Sequence, residues 1–220
     1  MSSIVVAGDT SGSITISAPL VAGSGTLTLP VATDTLIGKA TTDTLTNKSI
    51  AASQLTGTIA AAALPAGSVL QVVSTTKTDT FTSTAATTWT DITGLTVSIT
   101  PRSTSNKILV NFSPCGINPA NNLYVRLMRD ATPICVGDTA GTRTSNSAGN
   151  FYNNGGNSAQ TVVSSTLYLD SPSSVSSIVY KLQFWQGAAG TAYFNRSSND
   201  TDSNQFPRGA STITVQEIAG

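Results

Sequence analysis

Histidine is absent from the 220 residues of this sequence, and its absence removes much of the chemistry on which enzymes rely. Ser-His-Asp triads, Cys-His pairs, imidazole bases and histidine-bound zinc all need that side chain. Neither G-x-x-x-x-G-K-[ST] nor G-x-G-x-x-G occurs, so no nucleotide-binding loop is indicated. Only Glu217 is a glutamate, and most aspartates lie beside Thr, Gly or Asn in expected turns. We therefore predict that the protein is not an enzyme and has no cofactor.

Charge is also scarce in this chain. Charged residues make up 10% of it, and 11 basic residues balance 11 acidic ones. Binding to nucleic acid depends on clustered basic charge, so no nucleic-acid partner is expected. No apolar run approaches the roughly 18 residues of a membrane span. The opening MSSIVVAGDTSGS lacks the basic and long apolar regions of a secretory signal. We expect neither membrane insertion nor a secretory signal.

The sequence has two cysteines, Cys115 and Cys135, which are too few for a disulfide framework. They lie in or beside stretches that read as neighbouring strands, so a disulfide bond between them is geometrically possible. The favoured interpretation is a pair of small reduced thiols in a protein made in the cytoplasm.

What the chain has in place of charge is Thr and Ser, about 30% of its residues, together with many Val and Ile. β-Branched residues favour strands, so the composition predicts an all-β protein. RDATP, from Arg129, reads as a short hairpin connection. Nine stretches after Ala66 read as strands, and that number in about 150 residues is typical of a β-sandwich of the jelly-roll kind. They are 67–74, 95–101, 107–113, 122–130, 132–137, 161–170, 176–187, 191–195 and 211–218.

Alternation within two of these strands assigns side chains to faces. Tyr124 and Arg126 share the face opposite Leu123. Trp185 and its alternate neighbours oppose the face that carries Phe184. Both faces of that strand are apolar enough for a central position or for contact with another subunit. Trp185, Tyr193 and Phe194 are accordingly assigned to the core or to a subunit interface.

The N-terminal part differs from the rest of the chain. Residues 1–50 contain no aromatic residue and no cysteine, and show only short alternating bursts that end at Gly or Pro. Such a segment buries too little apolar surface to offset the entropy of ordering it. We therefore expect 1–50 to be a thin shaft or attachment segment that needs a partner. Residues 51–65 read as a linker and 66–220 as a C-terminal knob.

The candidate binding site lies in the long connection 138–160. Two aromatic rings surrounded by amide side chains suit a sugar, because its CH groups stack on the rings and its hydroxyls hydrogen-bond to the amides. The alternative is that both rings pack into the sandwich or a subunit seam and anchor the loop. The predicted ligand-binding residues are Asn150, Phe151, Tyr152, Asn153 and Asn154.

A second loop, NDTDSNQ at 199–205, has acidic and amide residues at the alternate spacing of a calcium loop. It has Gln205 where that loop needs glycine and Ser211 where it needs an acid. The stretch therefore reads as a solvated loop, and no metal site is predicted.

Several stretches, in this order along the chain, resemble fibre proteins of tailed bacteriophages. GSITISAPLVAGSGTLTLPVATDTLIGKATTDTLTNKSI (12–50) is similar to the N-terminal part of many such fibres. ASQLTGTIAAAALPAGSVLQVVS (52–74) and WTDITGLTVSITPRSTSNKILV (89–110) are similar to sequences that lead into their large domain and continue within it. STITVQEIAG (211–220) looks like the final strand of the same knobs. Residues 138–206 lie outside the resemblance.

The resemblance implies a homotrimer located on the virion, with a thin shaft and a globular β knob. It supplies partners for the N-terminal segment, namely the same segment of two sister chains or the virion protein on which it docks. The leading hypothesis is a fibre, short tail fibre or head fibre, that recognises a host-surface glycan or protein. The alternative is a structural or decoration fibre of the capsid or tail. A depolymerising spike is disfavoured, because the chain is too short for a long β-helix and its acids are poorly placed.

The thin N-terminal segment leads to a prediction about assembly. We expect an obligate homotrimer, because residues 1–50 are ordered only against other chains. Light scattering on the purified protein at micromolar concentration should give three times the 22.4 kDa mass of one chain. A stable, folded monomer would rule this out.

Overall fold

The structure is a computed structural model, in which the chain forms two compact units, Met1–Thr56 and Gly57–Gly220. No α-helix occurs in the described residues, and so none that could cross a membrane. The predicted all-β fold is confirmed. The finer division into 1–50, 51–65 and 66–220 stays a prediction. The structure describes residues 3–7, 11–17, 49–51, 53, 56–57, 59–60, 63–152, 158–188 and 190–220.

The first unit contains one hairpin among its described residues. Strands β1 (Ser3–Ala7) and β2 (Ser13–Ser17) pair antiparallel, with Val5 opposite Thr15. β2 is the strand that the alternation in GSITISAPL predicts. GTLTLPVA and the echo between DTLIG and DTLTN lie outside the described residues.

The second unit contains twelve strands in its described part. They are β3 (Val69–Lys77), β4 (Phe81–Ser83), β5 (Thr90–Ile99), β6 (Lys107–Ser113), β7 (Cys115–Ile117), β8 (Leu123–Arg129), β9 (Thr132–Ile134), β10 (Val162–Val163), β11 (Thr166–Asp170), β12 (Ile178–Gln186), β13 (Ala192–Phe194) and β14 (Ser211–Ile218).

Eight of these strands form a jelly roll. The first sheet has the order β11-β6-β14-β3 and the second sheet the order β5-β12-β8-β9, and all pairs are antiparallel. The chain passes from one sheet to the other at every connection except the hairpin between β8 and β9. That hairpin is the short connection predicted at RDATP, and its turn has two residues, with Asp130 at φ 52. Two four-stranded sheets wound in this way define the jelly roll that the strand pattern predicts.

The four short strands form a third sheet, here called the end sheet, in the order β10-β7-β13-β4. Each comes from one of the four connections that leave the same end of the jelly roll, which we call the distal end. The connections 100–106, 130–131 and 171–177 lie at the other end, the base, where β3 also begins. The sequence predicts one strand over 161–170, but these residues divide into β10 and β11, which belong to different sheets.

The core lies between the two large sheets, and its residues alternate with outward-facing ones along every long strand. Val110, Leu127, Tyr180 and Val215 are each 0% exposed. At the distal end three phenylalanines join the end sheet to the sandwich, with ring centroids 5.7 to 6.0 Å apart. These are Phe81, Phe184 and Phe194.

A buried carboxylate closes the base. Glu217 on β14 is 0% exposed. Its carboxylate accepts hydrogen bonds from the Arg102 backbone N–H (2.6 Å), Asn106 Nδ2 (2.6 Å) and Gln71 Nε2 (2.7 Å). Burial opposes ionisation, but these hydrogen bonds and the Arg102 charge outweigh it, so the pKa of Glu217 lies below its ordinary value of 4.5. The stretches PRSTSN and TVQEI, both part of the sequence resemblance, thus meet at this carboxylate.

At the distal end, the side chains of asparagine and glutamine residues form the hydrogen bonds that hold the connections in place. Asn118, which is 0% exposed, donates from Nδ2 to Gln186 Oε1 at 2.8 Å. Gln186 Nε2 in turn donates to the Ala85 carbonyl at 2.8 Å. Asn195 Nδ2 donates to the carbonyls of Lys77 and Asp79, at 2.9 Å each. These bonds tie the connections that carry the end sheet to the long strands.

Glu217→Gln should destabilise the knob in a pH-dependent way. A group whose folded pKa is depressed contributes stability that is present above its unfolded pKa and is lost as the pH falls through the folded pKa. At pH 7 we expect the free energy of unfolding to fall by about 1–3 kcal/mol, the scale of hydrogen bonds to a charged group. The deficit should shrink below pH 4.5, the ordinary value for this carboxyl.

Denaturant unfolding of both proteins between pH 3 and pH 7 measures this difference. Asp202→Asn removes an exposed carboxylate of a distal loop and serves as the control. A deficit that is constant across this pH range would contradict a stabilising charge on Glu217.

Candidate functional site: an aromatic platform on the second sheet

The outer face of the second sheet carries a row of aromatic residues near the distal end. Trp185 on β12 is directly opposite Tyr124 on β8. Their rings stack, with centroids 5.7 Å apart and planes inclined by 22°. Both side chains are half-buried, whereas the alternate residues Leu123 and Phe184 point into the core at 0% exposure. The pair therefore presents aromatic surface to the outside of the sandwich.

A polar row follows directly below the aromatic one. Arg126, Gln183 and Asp91 lie opposite one another across β8, β12 and β5. Arg126 donates from Nε (3.0 Å) and from Nη2 (2.7 Å) to Gln183 Oε1. Its Cζ lies 4.2 Å from the ring centroid of Trp89, the residue before β5. A guanidinium held by an amide on one edge and a ring on one face has little rotational freedom left.

Asp91 is shared between two neighbours on β12. Gln183 Nε2 donates to its Oδ1, and Lys181 Nζ forms an ion pair with its Oδ2, both at 2.7 Å. Burial raises the pKa of Asp91, but these two hydrogen bonds and the Lys181 charge lower it by more, so the net pKa is below 3.8. Asp91 is therefore ionised at neutral pH and fixes the amide of Gln183, whose oxygen then faces Arg126.

We call Trp89, Tyr124, Arg126, Gln183 and Trp185 the aromatic platform. Stacked rings beside fixed amide and guanidinium groups can bind a pyranose, since the CH face of the sugar covers a ring and its hydroxyls meet the polar groups. The same groups offer neither a nucleophile with an adjacent base nor a set of metal ligands. Among all described residues no cluster of three or more Cys, Asp or Glu could hold a metal ion.

The structure corrects the sequence-based prediction for Phe151. Its side chain is 0% exposed and belongs to the core. Its backbone N–H donates to the Leu123 carbonyl, and its carbonyl accepts from the Asn118 N–H. These bonds hold residue 151 along the free edge of β8 with the ring turned inwards. Phe151 therefore anchors the 138–160 loop, as the alternative interpretation has it, and cannot stack on a ligand at the surface.

Two other residues of the predicted site lie at the surface. Asn150 is exposed; its Oδ1 accepts from the Leu123 N–H at 3.2 Å, and its Nδ2 donates to Asn122 Oδ1 at 2.8 Å. Tyr152 is half-buried and forms an isolated bridge with Asn118. A role for either in ligand binding stays a prediction. Asn150 lies beside β8, because it accepts from the backbone N–H of Leu123, the residue before Tyr124. Asn153 and Asn154 lie outside the described residues.

The two cysteines and the 199–205 loop, also singled out in the sequence, lie outside the platform. Cys115 and Cys135 are free thiols. Cys115 belongs to β7 of the end sheet and Cys135 follows β9 of the second sheet, so their strands are not the neighbours that the sequence suggested. Burial raises the pKa of both thiols, which disfavours the reactive thiolate. In the 199–205 loop, Asp200 pairs with Arg196 and Arg208.

The alternation places Tyr124 and Arg126 on the face opposite Leu123 and assigns Trp185 to the core or a subunit interface, but it does not bring the three together. The missing information was the pairing of β8 with β12, whose residues are separated by more than fifty positions in the chain. Trp89 gave no periodic signal, because it precedes the strand. A useful signal would have been the rarity of aromatic residues, 6% of the chain, combined with their alternation against buried neighbours.

Phe151→Ala should act on stability and not directly on binding. Loss of a buried phenylalanine costs about 3–5 kcal/mol, so the thermal midpoint should fall markedly. Asn150→Ala, one residue away and exposed, removes two surface hydrogen bonds and should cost about 1 kcal/mol. Thermal unfolding followed by circular dichroism measures both. An unchanged midpoint in Phe151→Ala, with lost binding, would restore the stacking role predicted from the sequence.

No protein-family model matches the chain, and no curated protein sequence matches it. Among solved structures it is similar to a chain in "Structure of infectious bursal disease virus Gt strain", with 12% identity and a TM-score of 0.35, over 68% of this chain and 42% of that one. It is also similar to a chain from the Gx strain, with 13% identity and a TM-score of 0.32, over 68% and 38%. The chain thus spans less than half the length of these two chains. TM-scores this low carry no argument about function.

Proposed function

We propose that this chain is a virion fibre protein, non-enzymatic, whose jelly-roll knob recognises a glycan on the host surface. The aromatic platform is the observation that carries the glycan part of the proposal. It combines half-exposed rings, a fixed amide and a fixed guanidinium in a chain where aromatic residues and charges are both rare. The virion part rests on the resemblance of 12–50, 52–74, 89–110 and 211–220 to phage fibres.

A homotrimer is part of this proposal, and the outer face of the first sheet is the surface that suits it. On this face Val72, Leu167 and Leu169 are 57%, 60% and 49% exposed. Of the residues that alternate with buried ones there, Lys107 alone is charged. Three such faces could pack around an axis through their uncharged residues, with Lys107 at the base end of the face bonded to Ser171 Oγ. The outward residues are Val72, Ser74, Thr76, Lys107, Leu109, Asn111, Ser113, Leu167, Leu169, Thr212, Thr214, Gln216 and Ile218.

The second candidate is a structural or decoration fibre without a primary receptor. The same face favours it, because contact with another virion protein would cover the exposed Val72, Leu167 and Leu169 equally well. The two candidates differ in what the free protein binds. An adhesin binds cells and competes with virions for them, whereas a decoration protein binds particles that lack it and leaves adsorption unchanged.

Adsorption of the labelled full-length protein to host cells tests the proposal. The change Trp185→Ala with Tyr124→Ala removes the stacking surface. Loss of one aromatic at a binding hot spot costs about 2 kcal/mol, roughly a thirty-fold loss per site, and avidity on a trimer enlarges it. We therefore expect adsorption to fall by at least that factor.

Tyr193→Ala is the matched control for this experiment. Tyr193 is another half-buried aromatic near the distal end, and Arg196 lies over its ring at 5.1 Å from the centroid. The control should adsorb normally, with thermal midpoints checked for each variant. If the wild-type protein neither binds host cells nor competes with virions, the adhesion proposal fails and the decoration fibre takes its place.

A further inference from the structure

Arg126 differs from the other cations that the fold covers. Five described Lys and Arg side chains are buried or half-buried, and four of them form an ion pair with a carboxylate. Arg126 has no carboxylate within ion-pair distance among the described residues; its acceptor is the neutral amide oxygen of Gln183. The four paired cations are Lys77 with Asp79, Arg129 with Asp170, Lys181 with Asp91 and Arg196 with Asp200.

The lack of a carboxylate partner for Arg126 costs free energy. A half-buried cation loses hydration, and an ion pair is the usual compensation. Burial lowers the pKa of Arg126, and the charge of Asp91 only opposes that effect. The nearest carboxylate, Asp91, already holds Lys181 and Gln183. Arg126, Lys181 and Asp91 together therefore carry one net positive charge, in a protein whose total charge is balanced.

The geometry leaves one edge of this guanidinium for an anion. Nε and Nη2 donate to Gln183, and the planar face lies on Trp89. Nη1 donates no hydrogen bond to any described residue. The edge formed by Nη1 and Nη2 matches the two oxygens of a carboxylate. One row above it along the sheet, Tyr124 and Trp185 provide the stacked rings.

We propose, on the basis of the glycan recognition put forward above, that the platform binds an acidic sugar. The ligand is a carboxylated pyranose of the uronic or sialic acid kind. Its carboxylate pairs with Arg126, and the CH face of its ring covers Tyr124 and Trp185. An acidic peptide would satisfy Arg126 but would leave the ring surface without a flat partner, so the two features together favour the sugar.

Tryptophan fluorescence reports on this surface selectively, because the chain has two tryptophans and both belong to the platform. The probes are polymer-linked glucuronic acid and polymer-linked glucose, which differ in the carboxylate, titrated into the full-length protein. We expect the glucuronic acid probe to bind about 10- to 100-fold more tightly than the glucose probe, as for one charge-assisted contact. Arg126→Gln should remove that difference, and Arg126→Lys should keep part of it.

Arg196→Gln is the matched control, because it removes the other guanidinium that lies over an aromatic ring. It should leave the preference for glucuronic acid intact. Equal affinity for the two probes, no response to either, or a preference that survives Arg126→Gln would each overturn the acidic-sugar proposal. A change of oligomeric state in Arg126→Gln would also overturn it, and would make the platform a contact between copies of this chain.

Cell adsorption separates this inference from the proposed function. If the wild-type protein adsorbs to host cells and Arg126→Gln adsorbs equally well, the acidic-sugar inference fails while adhesion stands. If the wild-type protein does not adsorb, the proposed function itself fails.

Discussion

The ends of a β-sandwich leave backbone groups that no neighbouring strand can bond, and the rest of this fold depends on closing them. At the base, the carboxylate of Glu217 accepts from the Arg102 N–H and from Asn106. At the distal end, Asn118 donates to Gln186 and accepts from the Ala120 N–H, while Gln186 donates to the Ala85 carbonyl. A protein with one glutamate places it where several donors converge. No buried polar side-chain atom of the described residues lacks a hydrogen bond.

Closed ends leave the two outer sheet faces as the large surfaces of the knob, and these faces differ in chemistry. The first sheet presents Val72, Leu167 and Leu169 among uncharged Thr and Ser, which suits packing against protein. The second sheet presents Trp185 and Arg126, which suits a polar ligand with an apolar face. We infer that the outer face of the first sheet serves assembly and that the outer face of the second sheet serves ligand recognition.

The sequence predicts this fold well and its site poorly, for a physical reason. Period-two alternation reports which residues are buried, so the jelly roll and most of its strands could be predicted. Alternation does not report which strands pair, so the contact between Tyr124 and Trp185 could not be predicted. Phe151 was misplaced because a loop gives no periodic signal, and an aromatic among asparagines reads the same whether its ring turns in or out. Residues 161–170 were continuous in pattern, yet they change sheets at Ser164.

The central claim is that a sugar carboxylate sits against Arg126 on the second sheet. Nuclear magnetic resonance of the full-length protein, titrated with glucuronic acid, tests it most directly through the indole N–H signals of Trp89 and Trp185. The account predicts that both indole signals shift together and saturate, while the backbone signals of Val72 and Leu167 on the first sheet stay in place. Shifts confined to the 196–208 loop, or unchanged indole signals at saturating sugar, would contradict it.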